Sequence, residues 1–143
     1  MDRLSPTRGK TSVLVIGSGL AGAIAALRLA EAGISVTLVN SGAEADNGNS
    51  SLAQGGIVYR SEKDSPEALA LDIVEAGGGY NYTRAVEQIC TQGPGAVQEI
   101  LIDRLQIPFN RSDAHLSQEW DLTLEGGHSS QRILHCADYT GRA

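Results

Sequence analysis

Two different spacings of apolar residues follow one another in the first forty residues of the chain. The run "SVLVIG" (Ser12–Gly17) is continuously apolar and rich in β-branched residues, which is typical of a parallel strand buried on both faces. Residues 19–33 then carry apolar side chains at the i, i+3, i+4 spacing of a helix that ends at Gly33. A second apolar run, Ser35–Asn40, predicts another strand. The pattern therefore predicts a strand–helix–strand unit with two parallel strands and a right-handed connection.

The rest of the chain predicts short elements separated by polar or glycine-rich segments. Residues 41–51 have the composition of a loop. A helix is predicted from Pro66 to Ala76, with Ser65 as its N-cap and proline at the first position. Two more helices are predicted over residues 81–93 and 94–105, divided by a Gly-Pro-Gly sequence. Short extended or strand-like stretches are predicted at residues 106–110, 120–124 and 131–135.

The composition and charge of the chain argue against several classes of function. With 143 residues, 41% of them hydrophobic and 20% charged, the chain has the composition of a globular domain rather than of a disordered segment. A net charge of −6 and an aromatic content of 4% argue against binding to nucleic acid or to an anionic membrane surface. No apolar run approaches the ~18 residues that a membrane-spanning helix needs. We therefore expect no nucleic-acid partner and no membrane partner.

The N-terminal segment and the two cysteines indicate a cytoplasmic protein. Residues 1–11 form a polar tail without the apolar stretch of a secretory leader. Cys90 and Cys136 are far apart in the sequence and form no CxxC pair, which suits a reducing compartment. Both thiols are expected to be buried or half-buried in the core.

A glycine-rich turn joins the first predicted strand to the first predicted helix. Gly17, Gly19 and Gly22 form a GxGxxG pattern that has the required strand before it and the required helix after it. Gly17 permits the tight turn, Gly19 lets a pyrophosphate approach the backbone, and Gly22 allows the helix to pack closely on the strand. The free N–H groups at the helix N-terminus favour a phosphate charge. The turn therefore predicts a dinucleotide-binding site.

The end of the second predicted strand leaves the identity of the dinucleotide open. An Asp or Glu usually stands there and binds the adenosine ribose, but this chain has Asn40 and Ser41. Asn40 can still form a hydrogen bond with a hydroxyl group, although a weaker one than a carboxylate would form. Since no arginine follows closely to bind a 2′-phosphate, the sequence disfavours NADP.

A second glycine-containing segment, Asn49–Ile57, follows the polar loop. Its two adjacent glycines would let a planar ring lie against the backbone. The hydroxyl and carboxamide side chains before them offer hydrogen-bonding groups. On its own, a structural turn explains this segment about as well as a ligand site does.

Three segments, in this order, make the chain resemble a known family. They are "VLVIGSGLAG", "NSSLAQGGI" and "LEGGHSSQRILHCADYTGRA". From about Ser12 to Ala143 the chain is similar to the N-terminal part of the succinate dehydrogenase/fumarate reductase flavoprotein family, and within it to the L-aspartate oxidases. The resemblance implies an α/β fold, a Rossmann-like FAD/NAD(P)-binding domain that begins a doubly wound sheet. It also implies that residues 12–143 are an incomplete FAD-binding domain, without the capping and C-terminal helical domains.

The resemblance implies FAD as the cofactor. Dehydrogenase and membrane-bound fumarate reductase members carry a flavin-linking histidine five residues before the glutamine of "AQGG", and Asn49 stands at that position. The flavin is therefore expected to be non-covalent. The predicted cofactor-binding residues, from the glycine-rich turn and from the resemblance together, are Gly17, Ser18, Gly19, Leu20, Ala21, Gly22, Asn40, Ser41, Asn49, Ser50, Ser51, Leu52, Ala53, Gln54, Gly55 and Gly56.

The resemblance also implies a substrate contact, but it places no main catalytic residue in this chain. Glu125 is expected to pair with the ammonium group of L-aspartate. The family's proton-transferring arginine and its other carboxylate-binding residues are expected outside residues 12–143. Two departures reduce the local positive charge: Leu124 replaces the usual arginine before this glutamate, and Ser41 replaces a basic residue of many members. Losing these cations would weaken the binding of an anionic cofactor or substrate.

The implied reaction is the FAD-dependent oxidation of L-aspartate to iminoaspartate, with O2 or fumarate as the electron acceptor. This is the first step of de novo NAD biosynthesis through quinolinate, so quinolinate synthase is a further expected partner. The 143-residue chain alone is expected to be catalytically silent. The alternatives are a fumarate reductase or succinate dehydrogenase flavoprotein, against which Asn49 and "EGGHS" argue, a non-catalytic FAD-binding module, and a remnant without function.

The polar residues around Glu125 allow more than one interpretation. Glu125, His128 and His135 lack a further ligand at a metal-like spacing, so no metal site is predicted. His128 suits acid–base chemistry, but the sequence identifies no partner base for it. Arg132 and Arg142 are either anion contacts or surface charges, and the sequence leaves this choice open.

Overall fold

The computed structural model describes residues 12–44, 48–112 and 119–143, so the predicted polar tail at 1–11 lies outside the described residues. The chain divides into two compact regions, Met1–Leu52 and Ala53–Ala143. We call the described parts of these the first region and the second region. Within the described residues, no helix combines the length and apolar character needed to cross a membrane.

The first region contains the predicted strand–helix–strand unit. Strand β1 is Ser12–Ile16, helix α1 is Leu20–Glu31 and strand β2 is Ser35–Val39. The two strands are parallel, with Ser12 opposite Ser35 at one end and Ile16 opposite Val39 at the other. Gly33 adopts a φ of +73° directly after the helix, as expected of a glycine stop. The predicted elements, their order and their parallel pairing are confirmed.

The predicted burial of β1 on both faces is wrong. Val13 and Val15 are half-buried, whereas Leu14 and Ile16 are exposed by 59% and 80%. Val15 faces α1, because a β-carbon built on Gly22 of that helix would lie 3.4 Å from the Val15 side chain. Within the first region, α1 packs on one face of the two-stranded sheet, so alternate β1 residues on the other face stay exposed.

The second region combines two helices, a wider helical segment and a short antiparallel sheet. Helix α2 is Pro66–Ala76 and helix α3 is Thr83–Ala96, which continues into a π-helix at Val97–Arg104. Strands β3 (Ile57–Val58) and β4 (Ile133–Leu134) pair antiparallel. The predicted N-cap of α2 is confirmed, because the Ser65 hydroxyl accepts a hydrogen bond from the Ala68 N–H at 3.1 Å.

The predicted division of the third helix at Gly-Pro-Gly is wrong. Helix α3 runs through this sequence and contains Pro94. Its buried residues follow a helical spacing that continues across the proline: Val86, Cys90, Pro94 and Val97. Packing of this stripe outweighs the weak helix propensity of the glycines and the missing N–H of the proline.

The strand-like stretches are shorter than predicted. Residues 131–135 contain β4, but residues 120–124 form only two isolated bridges. One joins Trp120 to Arg111 and the other joins Thr123 to Ile133. Because this segment pairs with two different partners in turn, no continuous ladder forms. Strand β3 was not predicted, since its partner lies about 75 residues away along the chain.

The buried core lies in the second region. Leu69, Val86 and Cys90 pack together with the half-buried Val58 and Ile73. The remaining buried hydrophobic residues are Val97, Ile100, Leu101, Phe109, Ile133, Leu134 and Cys136. Both cysteines are buried free thiols, as predicted, and burial raises the pKa of each thiol. Raised pKa values keep them in the unreactive protonated form.

Candidate functional site

The glycine-rich turn between β1 and α1, which we call the phosphate loop, is held in place by a backbone hydrogen bond. Gly17 has a φ of +107°, and its N–H donates to the Val39 carbonyl at 2.7 Å. The loop is therefore fixed to the end of β2. A β-carbon at Gly22 would collide with the Gly17 carbonyl group. The close approach of α1 to the loop requires glycine at this position, as the GxGxxG pattern predicts.

The N-terminus of α1 accommodates an oxygen acceptor. Gly19 is the N-cap residue and carries no capping side chain. The Leu20 N–H donates instead to the Ser50 hydroxyl oxygen at 3.0 Å. A β-carbon at Gly19 would lie 3.0 Å from this same oxygen, so the absence of a side chain leaves it room. Exposed N–H groups of this kind, at the positive end of a helix dipole, suit the oxygens of a pyrophosphate.

Asn40 links the end of β2 to the phosphate loop. Its side-chain amide donates to the Glu44 carbonyl at 2.9 Å and to the Ser18 hydroxyl at 3.3 Å. Because the nitrogen makes both contacts, the amide oxygen is the end of the side chain that suits a ribose hydroxyl. The neighbouring Ser41 is exposed.

The segment that begins at Asn49 forms a short 3-10 helix, Asn49–Leu52, within the predicted loop. The Ser51 hydroxyl donates to the Gly48 carbonyl at 2.7 Å and thereby closes the turn. Asn49 and Leu52 are exposed. The predicted cofactor-binding residues of the first region thus lie at its surface, on the glycine-rich turn, the first turn of α1, the end of β2 and this 3-10 helix.

The "AQGG" segment of the second region is fixed by backbone and hydroxyl contacts. The Gly141 N–H donates to the Ala53 carbonyl at 2.9 Å. The Thr140 hydroxyl donates to the Gly55 carbonyl at 3.1 Å and accepts from the Cys136 N–H at 3.0 Å. These bonds orient the glycine backbone without using its N–H groups.

Glu125 lies against this glycine segment. A β-carbon built on Gly55 would lie 3.2 Å from Oε1 of Glu125, so a side chain there would crowd the carboxylate. A β-carbon on Gly56 would collide with the Leu134 carbonyl of β4. The two glycines therefore permit a close approach, to the carboxylate on one side and to the sheet on the other. Glu125 begins a tight turn, in which its carbonyl accepts from the His128 N–H at 3.2 Å.

A buried cluster around Arg132 lies beside this turn. The Arg132 side chain is completely buried. It donates through Nε and Nη2 to the two oxygens of Asp64, each at 2.7 Å, and through Nη1 to Asp72 at 2.5 Å. Nη1 also lies 3.0 Å from Nδ1 of His128. Of the two alternatives that the sequence left open for Arg132, the surface charge is wrong because the side chain is buried; the anions that it contacts are carboxylates of the chain itself.

The carboxylate of Asp72 also binds the turn directly. The backbone N–H and the hydroxyl of Ser129 both donate to it at 2.9 Å. These donors, first the Ser129 N–H and then Arg132, lower the pKa of Asp72 from 3.8 to about 2. The hydrogen bonds to Asp64 raise the pKa of Arg132 further above its ordinary value. Asp72 and Arg132 are therefore both charged at neutral pH, and their contacts hold the turn against α2.

Sequence reasoning missed Asp64 and Asp72 and left Arg132 undecided. One signal was present: Arg132 directly precedes the apolar pair Ile133–Leu134 of a predicted strand, where a buried charge needs a partner. No pattern in the sequence, however, pairs it with carboxylates 60 and 68 residues earlier. Within residues 12–44, 48–112 and 119–143, no group of three metal-ligating side chains comes together.

Comparisons with known proteins agree with this arrangement. The family model described as an FAD binding domain matches residues 12–143. The L-aspartate oxidase of Halobacterium salinarum is 37% identical over 92% of this chain, which covers 24% of that protein. The L-aspartate oxidase of Yersinia pestis is 41% identical over 92% of the chain, again covering 24% of that protein. The chain thus spans about a quarter of the length of these relatives.

The fold has a counterpart among solved structures. The Mycobacterium smegmatis Sdh1 complex in its apo form contains a chain that matches with a TM-score of 0.81 and 27% identity. The match covers 92% of this chain and 22% of that one. This likeness extends over both regions of the sequence.

The chain belongs to the FAD-binding domain family of flavoproteins, and its cofactor is FAD. The described residues fit this cofactor. Gly19 leaves room for an oxygen acceptor at the helix N-terminus, where a pyrophosphate would bind, and Asn40 offers an acceptor for a ribose hydroxyl. Its curated relatives are oxidoreductases by name, specifically L-aspartate oxidases.

Proposed function

We propose that this chain is the FAD-binding part of an L-aspartate oxidase. The reaction is the oxidation of L-aspartate to iminoaspartate, with O2 or fumarate as the electron acceptor. The proposal extends to a cytoplasmic role in NAD biosynthesis, where quinolinate synthase would use the product. Two relatives, 37% and 41% identical to this chain, support the proposal, because both are named as L-aspartate oxidases.

The observation that carries the proposal is the position of Glu125 over Gly55. Its carboxylate oxygen lies 3.2 Å from where a β-carbon of Gly55 would be, next to the glycine segment proposed to face the flavin ring. A carboxylate at this place attracts a substrate that carries an ammonium group. Succinate and fumarate carry none, so the contact favours an amino-acid substrate over a simple dicarboxylate.

The chain's own residues would bind and orient the reactants. FAD, when bound, supplies the redox chemistry by accepting two electrons from the substrate. Glu125 would hold the ammonium group, while Thr140 keeps the Gly55 backbone in place through its hydrogen bond to the carbonyl. Asn49 stands where a flavin-linking histidine would be, so the flavin would be held without a covalent bond.

The test begins with the absorbance spectrum of the purified chain after it is mixed with FAD and passed through gel filtration. We expect a flavin band near a one-to-one ratio, and release of the flavin on denaturation because it is not covalently linked. L-aspartate and succinate are then titrated separately while the flavin spectrum is followed. The dissociation constant for L-aspartate should be at least tenfold lower than that for succinate, since a charge-assisted pair contributes about 1.5–3 kcal/mol.

Two variants separate recognition of the ammonium group from general effects. Glu125→Gln should abolish the preference for L-aspartate while FAD is retained. Glu67→Gln, in the exposed first turn of α2, is the matched control and should behave as the parent chain. Equal responses to succinate and L-aspartate in the parent chain would instead support the fumarate reductase or succinate dehydrogenase alternative. Retained FAD with no response to either ligand would favour a non-catalytic FAD-binding module.

A further inference from the structure

The Arg132 guanidinium has a rigid set of partners in the second region. Its side chain is fully buried, and the Asp64 side chain that it grips is only 2% exposed. The planar fork of Nε and Nη2 on Asp64 fixes the orientation of the whole group. The direction of Nη1 is therefore fixed as well, and it lies 2.5 Å from Asp72 and 3.0 Å from Nδ1 of His128.

The contact with His128 determines which ring nitrogen carries the proton. A guanidinium group has five N–H donors and no acceptor, so it can only donate to Nδ1. Nδ1 must then offer its lone pair, and the single ring proton of a neutral imidazole resides on Nε2. The partner of one ring nitrogen thus sets the role of the other.

The backbone around His128 is fixed by the same cluster. Ser129, the next residue, binds Asp72 through both its N–H and its hydroxyl. On the other side, the His128 N–H donates to the Glu125 carbonyl and closes the turn. Ring orientation, tautomer and backbone position are therefore all fixed three residues after Glu125.

We propose that Arg132 is a positioning residue that holds His128 as the Nε2–H tautomer, a fixed hydrogen-bond donor for a carboxylate of the amino-acid substrate. This inference rests on the proposed function. Glu125 offers an acceptor for an ammonium group, and His128 offers a donor for a carboxylate from the same turn. Together they match the two kinds of group that an acidic amino acid carries.

The first arm of the test is nuclear magnetic resonance of the 15N-labelled chain, without any ligand. The chain has three histidines, so His128 can be assigned from a His128→Gln variant. We expect a proton on Nε2, an unprotonated Nδ1, and a nitrogen–nitrogen coupling through the hydrogen bond between Arg132 and Nδ1. Arg132→Lys should remove the coupling, whereas Arg142→Lys, at an exposed arginine, should keep it. A proton on Nδ1, or a missing coupling in the parent chain, would overturn the proposal.

The second arm tests the substrate contact with two matched variants in the FAD-loaded chain. The amide nitrogen of glutamine occupies about the place of Nε2, whereas that of asparagine occupies about the place of Nδ1. His128→Gln should keep the L-aspartate response within about threefold, and His128→Asn should weaken it about tenfold, the loss of one hydrogen bond to a charged group. If the parent chain responds to L-aspartate and both variants respond equally, the inference is contradicted, whereas the proposed function is not affected. A parent chain that shows no L-aspartate response would contradict the proposed function and, with it, this substrate contact.

Discussion

The first and second regions differ in where their structure comes from. In the first region, none of the described residues is buried, yet the strands, the helix and the glycine loop have the geometry that the sequence predicts. Every buried hydrophobic residue among those that the structure describes lies in the second region, and its helices and strands depart most from the predicted ones. The backbone conformation of the glycine loop and its flanking elements is therefore determined by residues close in the sequence. Burial of a side chain depends instead on partners that are distant in the sequence.

The same division holds for electrostatics. Among the described residues, the groups with a shifted pKa are Asp72, Cys90, Arg132 and Cys136, and all belong to the second region. The described ion pair of the first region, between Arg28 and Glu31 on α1, is 3.6 Å long and solvent-exposed. A buried environment strengthens charge interactions and makes them costly to disrupt, whereas solvent screens exposed ones.

The largest predicted difference between the regions is in the free energy of unfolding after an arginine is replaced by methionine, once in each region. Arg132→Met would leave the buried Asp64 carboxylate without its partner, which should destabilise the chain by about 3–5 kcal/mol. Arg28→Met removes the solvent-exposed i,i+3 pair with Glu31, and a pair at such an exposed position is worth about 0.5 kcal/mol or less. Urea unfolding followed by circular dichroism, to which the helices of both regions contribute, measures the cost of each variant.

The control for this pair is Arg132→Lys, which keeps the charge but loses the two-pronged contact with Asp64. It should fall between the parent chain and Arg132→Met. The comparison of the two regions would break down if Arg132→Met and Arg28→Met shifted the urea midpoint by the same amount.

A smaller difference in the free energy of unfolding is expected when one apolar side chain is shortened in a strand of each region. Leu134 of β4 is fully buried, whereas Ile16 of β1 is 80% exposed. Leu134→Ala should cost about 3 kcal/mol through lost transfer energy and the cavity left behind. Ile16→Ala should change stability by about 0.5 kcal/mol or less. Circular dichroism during urea unfolding measures both, and a large cost at Ile16 would show that the exposed face of β1 is covered in solution.

The sequence allowed the local features to be predicted for a physical reason. The strand–helix–strand unit, the Gly33 stop and the Ser65 cap each depend on contacts within a few residues. The Gly-Pro-Gly prediction failed because it relied on propensity alone. Buried packing from Val86 to Val97 continues the helix through the proline.

The candidate site was predictable only in part. The glycine loop and Asn40 follow from the dinucleotide-binding pattern, and the structure gives each the expected position on the loop or strand end. The resemblance to a family implied a role for Glu125 and a role for Gly55, but nothing in the sequence predicted that these residues, 70 positions apart, lie next to each other. The Arg132 cluster joins α2 to the residue before β4 across 60 residues, and no spacing rule reaches that far.

The smallest predicted effect is the response of the second region to acid. Because the pKa of Asp72 is about 2 in the folded chain and 3.8 in the absence of its partners, the unfolded chain binds this proton more readily. The stabilisation is fully present above pH 3.8 and is lost as the pH falls through about 2. Urea midpoints followed by Trp120 fluorescence should therefore decline over this window. Asp72→Asn should be less stable at pH 6 and decline less steeply, whereas Asp138→Asn, at an exposed position, should follow the parent chain. A parent-like decline in Asp72→Asn would mean that other carboxylates govern acid sensitivity, and that the cluster gives the second region no distinct response.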